Sequence, residues 1–277
     1  MKKILFPLSI LCAFASCKKG ESPKENPISE FEQKWKSPEC SPENSLLIEK
    51  LEVLGGDSLT TTYKYDNEYR ISKIVFPSDA YLEIKYPNSS TYVIVQHSGA
   101  IVDSIVVFLD DEFKMTSALS FARASTKPKS EMTFSYDAGK RRTGWKAYNI
   151  TGGGDRVLDS EAFYTWGDDN NVAAYKAHFA DSTEFENMRY EYYENTRSYL
   201  YEMTSPQGNY YYGYPTPPLG QIVSKNFRRS IVRKNSKNVN VPTFDANDRL
   251  IKNTEQRYDG SGSLGSEVFS YYLYKCK

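Results

Sequence analysis

The chain has 277 residues and equal numbers of basic and acidic side chains, 35 of each, so its formal net charge is zero. This balance excludes the basic stripe that nucleic-acid binding requires, and no stretch after the amino terminus has the roughly 20 consecutive apolar residues of a membrane-spanning helix. Aromatic residues make up 14% of the chain, including 23 tyrosines. Because aromatic and β-branched residues favour a pleated, half-buried surface, the composition predicts an all-β protein.

Residues 1–16 have the layout of a secretory signal peptide. Two lysines follow Met1, an apolar run covers residues 4–13, and small residues precede Cys17; this run is too short to span a bilayer. The pair Ala15-Ser16 followed by a cysteine resembles the lipobox of bacterial lipoproteins. The resemblance implies cleavage before Cys17, a diacylglyceryl thioether on its sulfur and acylation of the new amino terminus, which together give stable anchoring.

Residues 17–43 are predicted to form the lipidated amino terminus and a linker, because they are polar and interrupted by prolines. Cys40 and Cys276 remain after the signal and the lipid site are accounted for. In an oxidising compartment they can form a disulfide, which would require the two ends of the folded domain to lie within about 7 Å of each other. The alternative is two unpaired cysteines on separate edges.

Residues 44–277 are predicted to form one β-domain. Short runs of β-forming residues alternate with gaps that hold Gly, Pro, Asn, Asp or Ser, as strands and turns do. A short helix between residues 117 and 126 is the one alternative to this pattern. The first predicted strands are 59–65, 70–76, 80–86, 91–96, 101–109, 113–122 and 131–136.

One unit recurs along this domain. It consists of two aromatic residues two positions apart, a polar turn, and then a basic residue followed by apolar positions. The unit occurs at 63–74, 134–145, 164–175 and 190–200, with a related segment at 244–250. Each unit is one β-hairpin with a return connection, and a long meander of hairpins must close or expose its edges. The pattern therefore predicts a single antiparallel meander closed into a barrel of about 12–16 strands.

The Tyr-Asp-x-x-x-Arg units resemble the YD repeats of Rhs-type proteins. A fuller likeness is to a domain-of-unknown-function family of gut-bacterial lipoproteins with a soluble, porin-like β-barrel. This likeness rests on the lipobox, on the hairpin at 63–74, on the segment 164–172 and on the segments 224–227 and 244–250. The resemblance implies a fold and a compartment, and it carries over no catalytic residue.

A lipid anchor and the charge pattern together predict an outer-membrane lipoprotein rather than an integral barrel. The strand at 183–193 carries charges on both faces, whereas an integral barrel needs an apolar outer band. Residues 18–21, directly after Cys17, lack an acidic cluster that would resemble a surface-export signal. A periplasm-facing location is therefore slightly favoured over the cell surface.

No catalytic or metal-binding constellation is recognisable in the sequence. The only histidines are His97 and His178, and no cysteines are clustered, so no cofactor and no metal site are predicted. The segment Gly56-Asp57-Ser58-Leu59 matches a hydrolase motif, and the segment Gly260–Gly265 matches a dinucleotide-binding motif. Strands follow both segments, so neither has the structural context that its motif requires. The sequence therefore predicts that the chain is not an enzyme.

The tyrosine-rich segment between residues 199 and 218 is the predicted binding surface. Tyr210, Tyr211, Tyr212 and Tyr214 lie beside several prolines, which favour a loop or an edge. Exposed tyrosines can stack on a sugar or grip a peptide; alternatively, they pack over the barrel mouth as a plug. The prediction is a non-enzymatic binding or scaffold module for a glycan, a peptide or a small apolar ligand. The alternatives are a hydrolase acting on envelope or dietary polysaccharide, and a structural barrel without a ligand.

Overall fold

The computed structural model describes residues 44–77, 80–98, 101–112, 114–180, 182, 185–197 and 226–277, all within the second of two compact units, Ser37–Lys277. No helix in this part of the chain is long and apolar enough to cross a membrane. The described residues form sixteen strands. They are β1 (Ser45–Leu54), β2 (Asp57–Tyr65), β3 (Ile71–Val75), β4 (Tyr81–Asn88), β5 (Thr91–Ser98), β6 (Ile101–Leu109), β7 (Met115–Phe121), β8 (Ser130–Tyr136), β9 (Arg142–Ile150), β10 (Arg156–Trp166), β11 (Val172–Phe179), β12 (Phe185–Arg197), β13 (Asn226–Arg233), β14 (Ser236–Phe244), β15 (Leu250–Asp259) and β16 (Leu264–Cys276).

The strands form one closed antiparallel barrel in sequence order. Every strand pairs with its neighbours in the chain, and β1 pairs with β16 from Ser45 opposite Cys276 to Leu54 opposite Val268. The predicted all-β meander is confirmed, with a strand number at the top of the predicted range. The segment 117–126, considered as a helix, begins instead as the end of strand β7.

The interior of the barrel is packed with apolar and aromatic side chains. In the first half of β4 and of β5 every second residue is buried, and the exposed fractions are 4% or less at Leu82, Ile84, Tyr92 and Ile94, as expected for a strand with one face inward. Tyr92 on β5 and Phe227 on β13 are completely buried. These residues belong to one cluster of buried side chains contributed by strands all round the barrel, packed as protein interiors are.

The outer wall of the barrel carries charged side chains. Ion pairs join strands on this face: Lys146 of β9 lies 3.3 Å from Glu161 of adjacent β10, and Arg156 of β10 lies 3.0 Å from Glu131 of β8, on the far side of β9. Lys85 of β4 is exposed between buried Ile84 and half-buried Tyr86. An outer-membrane barrel instead has an apolar outer band, whereas this wall carries ion pairs together with exposed apolar residues such as Phe163 and Val241.

Five turns at one end of the barrel share a single backbone design. We call this end the rim; there the even-numbered strands finish and the odd-numbered strands begin. In each rim turn the last residue of one strand pairs with the residue six positions later, which begins the next strand or lies at its start. The first of the five turn residues donates its backbone N–H to the backbone carbonyl of the fifth turn residue, at 2.8–3.0 Å. The five rim turns are 66–70, 110–114, 137–141, 167–171 and 245–249.

A left-handed residue at the fourth position closes the rim turns. Tyr69, Lys140, Asn170 and Asp248 have φ between 57° and 67°, a region that non-glycine residues rarely adopt. The turn therefore depends on other interactions that hold it in this conformation.

An aspartate at the first position of the turn supplies those interactions. The Oδ1 atom of Asp137 accepts the backbone N–H of Arg141 at 2.8 Å, and its Oδ2 atom accepts the Arg141 Nε–H at 2.8 Å. These bonds hold the pKa of Asp137 below its usual value. Asp66 with Arg70 and Asp245 with Arg249 repeat both bonds.

The basic residue of each of four rim turns also reaches the next hairpin. Its cationic group lies over an aromatic ring near the end of the following even strand, at cation–π distances. The pairs, with distances to the ring centroid, are Arg70–Tyr86 (4.2 Å), Lys114–Tyr136 (5.7 Å), Arg141–Trp166 (5.6 Å) and Arg249–Tyr274 (5.9 Å).

The same four rings are fixed from the other side. Each donates its O–H or N–H to the carbonyl of the first residue of the preceding strand, at 2.7–3.0 Å. Burial raises the pKa of Tyr86 to about 12, against the opposing effect of Arg70, so its hydroxyl stays a donor at neutral pH. Turn carboxylate, cation, ring and carbonyl thus form one linked unit, which we call the rim contact.

Replacing Arg249 by methionine should destabilise the barrel strongly. Arg249 is fully buried and Asp245 is 8% exposed, so the variant leaves a buried carboxylate without its cation. Breaking such a pair costs about 3–5 kcal/mol in the free energy of unfolding, measured by urea denaturation.

The matched control is Arg141→Met in an identical turn. There the side chains of Arg141 and Asp137 are 37% and 24% exposed, and water solvates the carboxylate that is left behind. We expect a loss several times smaller. Equal losses at both sites would contradict the role given to burial.

Candidate functional site

Most of the site residues predicted from sequence lie outside the described residues. These are Cys17, the predicted lipidation site, Cys40, the predicted disulfide partner, and the tyrosines Tyr210, Tyr211, Tyr212 and Tyr214. Cys276 is described and is disulfide-bonded. Its pairing with Cys40 stays a prediction.

The described residues contain a different candidate, at two consecutive departures from the rim design. In the turn 167–171, Gly167 stands at the aspartate position and Asn171 at the basic position. At the next even strand, β12, Tyr193 follows the rim tyrosine Tyr192 and the strand continues to residue 197 instead of turning. Residue 197 pairs with Asn226 of β13, so residues 198–225 separate these two strands.

Asn171 links strands that are not neighbours. Its side chain is 1% exposed; Nδ2 donates to Asp169 Oδ2 at 2.7 Å, and Oδ1 accepts the backbone N–H of Asn226 at 2.7 Å. Asp169 therefore holds an amide, whereas a carboxylate holds a guanidinium in three of the other turns and an ammonium in the fourth. A Cβ on Gly167 would lie 2.7 Å from Asp169 Oδ1, so this position of Asp169 requires the glycine.

A cavity of about 280 Å³ lies at this part of the rim. Its charged lining residues are both acids, and its wall includes three tyrosines. The lining residues are Asp169, Asn171, Ala173, Tyr190, Tyr192, Tyr193, Glu194 and Asn226. A small concave site with aromatic walls and a few polar groups is the usual form of a ligand site.

The tyrosine rings of the cavity are held in place by contacts outside it. Tyr192 donates its hydroxyl to the carbonyl of Val172 at 2.8 Å, as the other rim aromatics do, and Tyr193 donates to the carbonyl of Asn240 at 2.8 Å. The Tyr193 ring also packs on Phe227, with centroids 6.3 Å apart. A wall fixed in this way is preorganised for binding.

Two arginines of β13 lie against the same group of rings. Arg228 and Arg229 place their guanidinium carbons 5.4 Å from the Tyr190 centroid and 5.9 Å from the Tyr193 centroid. Neither arginine lines the cavity. The rings of this region thus already accept guanidinium groups from the chain.

The described part of the chain holds no group of three His, Cys, Asp or Glu side chains that could bind a metal ion. His97 lies elsewhere in the barrel. Its ring stacks on Tyr81 with the ring centroids 4.2 Å apart, and its Nε2 atom lies 3.7 Å from Glu83 Oε2. The lining of the cavity offers carboxylates, amides and tyrosine rings for hydrogen bonding, ion pairing and stacking.

The chain matches no protein-family model and no curated protein sequence. Among solved structures it is similar to a porin-like protein from Bacteroides uniformis, with a TM-score of 0.61 and 14% identity, over 84% of this chain and 97% of that chain. It is also similar to a porin-like protein from Bacteroides vulgatus, with a TM-score of 0.50 and 9% identity, over 83% and 98% of the two chains. At these identities the likeness shows the porin-like fold alone, and membership of the lipoprotein family stays a prediction.

Replacing Asn171 by alanine should release the start of β13. The backbone N–H of Asn226 then loses a buried acceptor, which costs on the order of 1–3 kcal/mol. We expect amide hydrogen exchange at Asn226 to accelerate by about tenfold or more. Thr165→Ala, at an exposed position of neighbouring β10, is the control and should leave this exchange unchanged; equal acceleration in both variants would refute the link.

Proposed function

We propose that this protein is a lipid-anchored, non-enzymatic binding module of the bacterial cell envelope, and that its ligand binds in the rim cavity. The observation that carries the proposal is the position of the cavity. It lies where two consecutive hairpins depart from the rim contact that four other turns keep. The repeated rim contacts stabilise the scaffold. A binding function is expected where the scaffold departs from this repeat.

The chemistry of the lining favours a polar ligand with a flat or extended face. Tyrosines supply ring area together with hydroxyl groups, and the carboxylates and amides of Asp169, Glu194 and Asn226 can orient polar groups. A volume of about 280 Å³ suits one sugar ring or one amino-acid side chain. A peptide or a glycan is therefore the expected ligand class.

The charge pattern of the barrel supports a lipid anchor over a membrane-embedded wall. The outer face carries ion pairs such as Lys146–Glu161, and the apolar residues fill the interior. Burying those charges in lipid would cost several kcal/mol. The signal-like residues 1–16 and the cysteine at position 17 supply the anchor, and we place the barrel in the periplasm.

A hydrolase acting on polysaccharide is the second candidate. Asp169 and Glu194 both line the cavity, and glycoside hydrolysis uses two carboxyl groups, one of them as acid. Asp169 accepts two hydrogen bonds from Asn171, which suits a fixed anionic group better than a proton donor. We therefore rank binding above hydrolysis.

Lipidation is tested by the incorporation of labelled palmitate in a Gram-negative host. The Cys17→Ala variant should lose the label and leave the membrane fraction, because a thioether needs the sulfur of residue 17. Cys12→Ala, which removes a cysteine inside the apolar run, should keep both properties. Label retained in Cys17→Ala would refute the anchor.

Ligand binding is tested by calorimetry on the full chain with malto-, xylo- and manno-oligosaccharides and with blocked single amino acids. We expect saturable binding of one class, weakened up to about tenfold in Tyr192→Leu through the loss of the ring face. Tyr258→Leu, at the opposite end of the barrel, is the control.

The outcomes separate the candidates. Absence of binding across the panel, or equal weakening in both variants, would overturn the proposal. Release of reducing sugar that stops in Glu194→Gln would establish the hydrolase instead.

A further inference from the structure

We infer that the outer wall formed by β5, β6 and β7 is the surface at which two copies of this chain associate about a two-fold axis. This surface is separate from the rim cavity, which β11, β12, β13 and the turn 167–171 line. The inference follows from the side chains that strand register places on the wall.

The outward side chains of these three strands are uncharged. Ile94, Ile105 and Ala118 belong to the buried core, so their neighbours along each strand face outward. The outward residues are Val93 and Val95 on β5, Ser104, Val106 and Phe108 on β6, and Ser117, Leu119 and Phe121 on β7. Phe108 is 36% exposed and the others are half-buried. We call this surface the uncharged wall; an apolar patch with polar edges is typical of a protein–protein contact.

The edges of the uncharged wall carry opposite charges. Direct cross-strand pairing places five residues in one row, namely Lys85, Val93, Val106, Leu119 and Glu131. Directly paired residues stand side by side on one face of a sheet. The row therefore runs from a lysine on β4 to a glutamate on β8, with three apolar side chains between them and β6 at its centre.

This row is complementary to a second copy of itself. When two uncharged walls meet about a two-fold axis parallel to β6, each β4 lies opposite the β8 of the other copy. Lys85 then faces Glu131 of the second copy, and the reverse pair forms as well, as in any two-fold interface. Val93 faces Leu119, and Val106 meets its own counterpart on the axis.

The charges select this orientation. A two-fold axis that lies across the strands would instead set Lys85 against Lys85 and Glu131 against Glu131. Like charges brought together in this way disfavour an arrangement, whereas opposite charges fix its register.

The size of the uncharged wall indicates a weak dimer. Five strands about 4.8 Å apart give a width of about 19 Å, which is at the small end of specific interfaces. Anchoring both copies to one membrane, as proposed above, would raise their effective concentration. The association is therefore best measured in the intact cell envelope.

The test is cysteine crosslinking of the full chain in intact cells with a short bis-maleimide. Ser104→Cys is nearly isosteric and lies on β6, where each residue meets its own counterpart. Thr165→Cys, at an exposed position of β10, is the control. We expect at least about tenfold more crosslinked dimer from Ser104→Cys, because residues held together have a high effective concentration.

Further changes in the Ser104→Cys chain assign the contacts. Val106→Asp sets two carboxylates against each other on the axis and should lower the dimer yield about tenfold or more. Lys85→Glu places like charges at both edges and should lower it about threefold or more. Adding Glu131→Lys to Lys85→Glu restores opposite charges and should return the yield to within about twofold of the starting value.

The thermal unfolding midpoint checks the fold of each variant, because Glu131 also pairs with Arg156 at 3.0 Å. If the double variant does not fold, the two single changes decide. Equal crosslinking in Ser104→Cys and Thr165→Cys would overturn the inference, as would an unchanged yield in Val106→Asp. A crosslinked product that contains a different protein would overturn it too, in favour of a heterologous partner. Failure of Glu131→Lys to rescue a folded Lys85→Glu chain would overturn the two-fold orientation.

Discussion

The rim contact is the interaction on which the rest of this barrel depends. A turn carboxylate fixes its own left-handed turn and a cation, and the cation fixes a ring of the next hairpin, so each hairpin positions its neighbour. The last contact also closes the barrel, because Arg249 bonds Asp245, lies over Tyr274 of β16 and reaches Ser45 Oγ of β1 at 3.3 Å. Among the basic residues of the four rim contacts, Arg249 is the one that is completely buried. It is buried because closure of the barrel brings the two ends of the sheet together around it.

The cavity lies where two consecutive hairpins depart from this series. Asn171 stands where the other turns have a basic residue, and its side chain links the turn before β11 to the start of β13. The wall therefore keeps a connection across β12, and the cavity lies beside Tyr192. A local rule broken at two consecutive hairpins, beside four turns that keep it, is the pattern expected where a scaffold carries a site. The regular turns therefore serve as an internal reference against which the site is recognised.

Much of the fold could be predicted from sequence because hairpin signals are local. The strand predicted at 101–109 coincides with β6, and the aromatic and Asp-Arg spacing identified the repeated unit before any pairing was known. The segment 236–244 lacks the aromatic pattern and contains Pro242, yet it forms β14, since its pairing with β13 and β15 is a tertiary effect. From the sequence, Tyr190 and Tyr192 are predicted only as members of the repeated unit and not as lining residues of a site. A cavity lined by three strands and a turn has no local sequence signature. The absence of aspartate and arginine at 167 and 171 was the signal available.

Closure between the first and last strands sets the order in which this protein can be made. Ser45 and Arg249 are 204 residues apart in sequence, and β1 has no partner on one side until β16 has been synthesised. Contacts of this range are slow to form because the entropy of loop closure must be overcome first, and an open strand edge is a template for aggregation. The edge of β1 therefore stays open until the thirteen-residue β16 has been synthesised, so closure of the barrel follows the synthesis of its carboxyl-terminal strand.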